Sequence, residues 1–139
     1  MSTKSIIAAI VGAIVAFFAG WVIWGMLLMD FYEAHSTQYE GLYKEPMIYA
    51  GIFVSQLAWG FLLAYLFEKM GVTTFAAGFL QGVIIFFLIS LAFDVFMYSS
   101  MNLMDTTVIA VDVIVNAIFG GIVGGVIAMM LGRGKVATA

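Results

Sequence analysis

The chain has no cysteine, one proline, one histidine and only 9% charged residues among 139. Without cysteine there is no disulfide, iron–sulfur cluster, thiolate zinc site or cysteine nucleophile. The lone histidine, His35, excludes a multi-histidine metal cage and a bis-histidine haem within one chain. Five Lys and Arg against eight Asp and Glu give a formal net charge of −3, which leaves no basic surface for nucleic acid. The Gly-Gly-x-x-Gly-Gly run at 120–125 follows no strand pattern, so it reads as a helix-packing surface rather than a phosphate loop. These absences point away from an enzyme, and no metal or cofactor is expected.

What the chain has instead is apolar length. Hydrophobic residues make up 65% of it, more than a water-soluble domain of this size could solvate. The fold class this predicts is an all-α integral membrane protein. Four apolar runs, at residues 6–29, 47–67, 74–98 and 107–131, are each long enough to cross about 30 Å at about 1.5 Å per residue. They form one transmembrane domain over residues 1–139. The first run is too long for the core of a signal peptide and reads as an uncleaved first span. The short connections at 68–73 and 99–106 predict four transmembrane helices in an antiparallel bundle. Lys4, Lys69, Arg133 and Lys135 fall on one side and Lys44 alone on the other, which predicts both termini in the cytoplasm.

The one substantial loop, residues 30–46, carries Asp30, Glu33, Glu40 and Glu45 against Lys44. It reads as a solvated acidic segment outside the membrane, with Phe31, Tyr32, Tyr39 and Tyr43 able to lie along the surface. Trp21 and Trp24 read as interfacial anchors at the outer end of the first span. Methionine, present ten times, reads as adaptable apolar filler.

Polar residues inside the spans are few, and their spacing is informative. On the last helix, Asp112, Asn116, Phe119 and Val123 share one stripe, and Ala110, Ala117, Gly121, Gly124 and Ala128 share another, with Gly120 and Gly125 on its margins. The glycine stripe predicts close contact with a neighbouring helix. In the third span Asp94 is flanked at i−4 by Ser90 and at i+4 by Tyr98. Asp94 and Asp112 each lie about five residues inside the outer end of a span, which places them at one depth, roughly 7–8 Å below the surface. A carboxylate in hydrocarbon costs at least a few kcal/mol and marks an ion or proton path or a partner contact. No Lys or Arg lies in any span, so the groups left to answer these acids are Asn116, Gln56, Ser90 and Tyr98, a proton, a cation, or a basic group of another chain.

Gly20-Trp21 and Trp24 near the end of span one, a tyrosine-bearing loop, Leu62-Leu63-Ala64-Tyr65, Thr73-Thr74 and a Gly-rich last helix also form a pattern. That layout resembles a family of small four-helix bacterial inner-membrane proteins without an assigned function. The resemblance implies a four-helix bundle in the bacterial inner (cytoplasmic) membrane and brings no catalytic residues. Two functions remain open. The leading one is a non-enzymatic, multi-pass subunit that self-associates as a homo-oligomer or docks into a larger membrane complex, with the lipid bilayer as its other partner. The alternative is a small channel or a cation/proton-coupled carrier built on Asp94, Asp112 and Asn116. A transport site requires polar groups from several spans at one depth with a path to both sides, and polar residues are sparse in the inner half apart from Gln81, which is why the subunit reading leads.

Overall fold

A computed structural model of the protein describes residues 1–133; Lys135 lies outside the described residues. Helix α1 spans Thr3–Val22 and runs on through a π turn, Ile23–Leu27, to a break at Leu28. Then follow α2 (Met29–His35), α3 (Tyr49–Met70), α4 (Phe75–Ser100) and α5 (Thr106–Gly132). Four of these segments, Thr3–Leu27, α3, α4 and α5, are long and apolar enough to cross a membrane. Strands are absent among the described residues; an isolated bridge joins Ser36 to Met104.

Local chemistry sets the helix ends. The side chains of Ser2, Thr74 and Asp105 accept the backbone N–H groups of Ser5, Ala77 and Val108, capping α1, α4 and α5. At the other end of α3, Gly71 takes a left-handed conformation (φ 69°), and the Val72 N–H closes the turn on the Phe67 carbonyl at 2.9 Å. The chain thus passes from α3 to α4 within a few residues.

Residues 30–46 are not wholly a loop. Their first part is α2, held by Phe31 against His35 one turn later, with ring centroids 4.8 Å apart. His35 Nδ1 meets Asp105 Oδ2 at 2.9 Å, and the Thr37 N–H donates to the Leu103 carbonyl at 2.8 Å. The acidic segment is therefore tied to the α4–α5 connection across one end of the bundle. The Val108 N–H, and after it His35, hold the Asp105 carboxyl below the ordinary carboxylate range. Its stabilising charge is present above that range and is lost only as pH falls through the lowered value. At the other end, Lys4 Nζ donates to the Arg133 carbonyl, and the Ser2 N–H donates to Glu68 Oε1 at 3.0 Å. Lys4, Lys69 and Arg133 thus share one end of the molecule.

Helix α5 is the centre. Of its most apolar stretch 56% is buried, against 22–28% for the other three spans, and it touches α1, α3 and α4. Four of its glycines, Gly120, Gly121, Gly124 and Gly125, face α4. A Cβ on Gly124 would stand 2.6 Å from the Gly78 carbonyl oxygen, one on Gly121 2.9 Å from the Phe79 ring, and one on Gly125 2.6 Å from the Phe75 ring. Gly120 lies under Phe86 and against Gly82. Near the α1 N-terminus, Gly60 of α3 lies directly on the Ala9 carbonyl of α1. Helices α3 and α4, although joined by a tight turn, barely touch. α3 leans on α1 and α4 on α5, so the two pairs diverge towards the end that carries α2.

Gly82 is the most demanding of these contacts, because its neighbours are the Gly120 carbonyl and the Gly121 Cα rather than movable side chains. Gly82→Ala must push the α4 and α5 backbones apart, at a cost of about 1–3 kcal/mol. We expect a lower thermal unfolding midpoint in detergent than for the parent protein. An unchanged midpoint would mean that the two helices do not meet at this glycine.

Candidate functional site

Where the helix pairs diverge they leave a cavity of about 990 Å³. All of it lies in the half of the bundle that contains the α1–α2 break and the start of α5. Its floor is a run of aromatic rings drawn from four segments. Trp24 meets Phe119 edge-on at 5.1 Å, Phe119 meets Phe86 at 5.9 Å, and Phe86 meets Trp59 at 5.0 Å. These rings come from the π turn, α5, α4 and α3. Below the floor, Phe67, Val123, Ile127 and Ala128 are fully buried and seal the other half.

The polar groups stand above the floor, one and two helical turns further along each helix. On α4, Phe86 is followed by Ser90 and Asp94; on α5, Phe119 is preceded by Asn116 and Asp112. Gln56 adds a polar group from α3. Asp94 is only 6% exposed, and its carboxylate accepts from the Ser90 hydroxyl at 3.4 Å. The Asp94 and Asp112 carboxyl groups line the same cavity, one from α4 and one from α5. Asn116 Nδ2 donates to Asp112 Oδ2 at 2.7 Å and to the Asp112 carbonyl at 3.0 Å. Gln56 Oε1 is buried without a hydrogen-bond partner among the described residues.

Five of the six residues singled out from the sequence, Asp94, Asp112, Asn116, Gln56 and Ser90, therefore line one cavity. Tyr98 does not. It lies one turn beyond Asp94, near the end of α4, and is 48% exposed. The hydroxyl that answers the acids is that of Tyr32, which donates to Asp112 Oδ1 and accepts from Trp24 Nε1 at 3.3 Å. Burial first, and Asp112 second, push the Tyr32 phenol well above its ordinary value, so it remains protonated and remains a donor.

Two expectations change here. Trp24 is not an interfacial anchor: the π turn places its ring in the cavity floor and its N–H on Tyr32. Tyr32 does not simply lie along the surface, because α2 brings its hydroxyl to Asp112. The sequence offered one signal for both, since Trp24 and Tyr32 are eight residues apart and so share a helical face.

Chemically, the arrangement places two acids together with one phenol donor, one amide donor and one hydroxyl donor, and with no base. Two full charges about 4 Å apart repel by about 4 kcal/mol at an effective dielectric of 20. A shared proton or a bound cation removes that repulsion. Among the described residues no group of three or more His, Asp and Glu could hold a metal ion. Comparison with family models, curated proteins and solved structures found no match for this chain.

Tyr32→Phe removes one hydroxyl and leaves both the Trp24 N–H and an Asp112 oxygen without a partner. We expect a loss of about 1 kcal/mol in stability and a shift in tryptophan emission as Trp24 loses its acceptor. A variant with the parent's stability and emission would place Tyr32 outside the site.

Proposed function

We propose that the chain is a small cation/proton-coupled carrier of the bacterial inner membrane. In this reading it is an antiparallel four-helix bundle with both termini in the cytoplasm, and the cavity faces outward. A proton shared by Asp94 and Asp112 leaves as a cation arrives, so the site's charge stays balanced through the exchange. Asn116, Ser90 and Tyr32 orient the carboxyl oxygens, and none of them carries a charge that would repel the cation. The observation that carries the reading is the convergence of polar groups from α3, α4 and α5 on one cavity. The sealed core beneath the aromatic floor supports alternating access rather than a continuous pore.

A docking or self-associating subunit draws its support from the small-residue faces. Gly120, Gly121, Gly124 and Gly125 all pack on α4 within the same chain, which leaves that reading without its surface.

The test is exchange across a membrane. Protein is reconstituted in vesicles that contain a trapped pH dye, and Na⁺, K⁺ or tetraethylammonium is added outside. Internal alkalinisation above that of protein-free vesicles is expected with at least one of them. The Asp94→Asn, Asp112→Asn double variant keeps volume and hydrogen bonding but not charge, and should abolish the response while remaining folded. No response from the parent protein with any of the three cations would overturn the carrier reading.

A further inference from the structure

The cavity also indicates which kind of cation it takes, an inference that rests on the carrier reading above. An inorganic ion is held by a tight shell of oxygens or by the water it keeps. Here the oxygens are spread over two helical turns rather than gathered into a shell, and most of the wall is aromatic or apolar. From Phe86 to Asp94 is eight residues of helix, about 12 Å, so the carboxylates stand well above the aromatic floor. A dehydrated Na⁺ or K⁺ at the acids would leave that volume empty, and a hydrated one would place its water against Trp59, Phe86 and Phe119. At about 990 Å³ the cavity is at the upper end of the range for organic ligands.

Two further observations point the same way. Asp94 is nine-tenths buried, lines the cavity and has no basic partner among the described residues, since Lys4, Lys69 and Arg133 lie at the other end of the molecule. The rings that face it offer the other half of a cation site, because aromatic faces attract a positive charge that has lost its water. A large cation with diffuse charge gives up its hydration easily, fills an apolar chamber and still satisfies the acids. We propose that the Asp94–Asp112 cavity binds a bulky organic cation, an ammonium or phosphonium ion with an aromatic or apolar body. Its positive centre lies beneath the carboxylates, and its body rests on the floor formed by Trp24, Phe119, Phe86 and Trp59. The gap between α3 and α4, where the bundle lacks a wall, gives such a ligand a lateral way in.

The alternative occupant of an apolar cleft in a membrane is a lipid chain, which would fill the floor without regard to charge. The titratable groups on the cavity wall are Asp94, Asp112 and the Tyr49 phenol, with the Tyr32 phenol bonded to Asp112, and a proton on the acids competes with the cation.

The experiment is equilibrium binding to the purified full chain in a neutral detergent, using tetramethylammonium, tetraethylammonium and tetraphenylphosphonium as probes of equal charge and increasing apolar size. Affinity should rise along the series, by about tenfold or more from first to last. It should weaken at acid pH, and excess Na⁺ or K⁺ should not displace the bound probe. Asp94→Asn should remove the pH dependence. Trp59→Leu should weaken tetraphenylphosphonium far more than tetramethylammonium. If Na⁺ or K⁺ exchanges with protons in vesicles but tetraphenylphosphonium does not bind, the site is inorganic and this inference fails while the carrier reading stands. If the Asp94→Asn, Asp112→Asn variant binds tetraphenylphosphonium as tightly as the parent, the cavity takes apolar bodies regardless of charge, and the inference fails.

Discussion

The close approach of α4 and α5 is the constraint on which the rest of the structure depends. Gly78 and Gly82 on one helix and Gly120 and Gly124 on the other bring the two backbones into direct contact. In lipid, where apolar burial between helices gives little, such close packing is a main source of association. The contact sets register as well as distance. With Gly82 on Gly120 and Phe86 one turn further against Phe119 and Gly120, Ser90 comes level with Asp112 and Asp94 stands one turn beyond. The carboxylate pair is thus a geometric consequence of the glycine seam.

The same seam creates the cavity. Because α4 is committed to α5, and α3 to α1 through Gly60 and Ala9, the turn at Gly71 joins two helices that cannot also pack on each other. Aromatic residues bridge the opening at mid-height, where Trp59, Phe86, Phe119 and Trp24 meet ring to ring. Met47, Ile52, Ile89 and Phe93 line the remaining space without filling it, and the acids stand on its wall. The π turn after α1 completes the arrangement: it brings Trp24 into the floor and leads into α2, whose Tyr32 reaches Asp112. Insertions of this kind are costly in a regular helix and cluster at functional sites.

Much of this was legible in the sequence, since helical periodicity is a strong signal in long apolar runs. The four spans, the glycine face of the last helix and the adjacency of Asp112 and Asn116 all follow from counting at 100° per residue. Counting also put Asp94 and Asp112 at one depth, whereas the glycine seam leaves Asp94 one turn beyond Asp112. What counting could not supply was how the helices diverge. The cavity comes from the absence of contact between α3 and α4, and no single helix encodes that absence. Tyr98 and Tyr32 illustrate the limit. Both were within plausible reach of the acids, and Tyr98 had the better local spacing. A π turn and the break at Leu28 gave the role to Tyr32. The same holds for Trp24, because a tryptophan near the end of a span is usually an anchor unless a π turn locally underwinds the helix.

The central claim is that Asp94 and Asp112 share a proton that an organic cation replaces. Infrared difference spectroscopy of the reconstituted protein, with and without tetraphenylphosphonium, observes that proton directly through the carbonyl stretch of a protonated carboxyl group. The account predicts a protonated-carboxyl band in the free protein that disappears on binding and is missing from the Asp94→Asn, Asp112→Asn variant. A band that persists unchanged with the cation bound, or that survives in the variant, would contradict it.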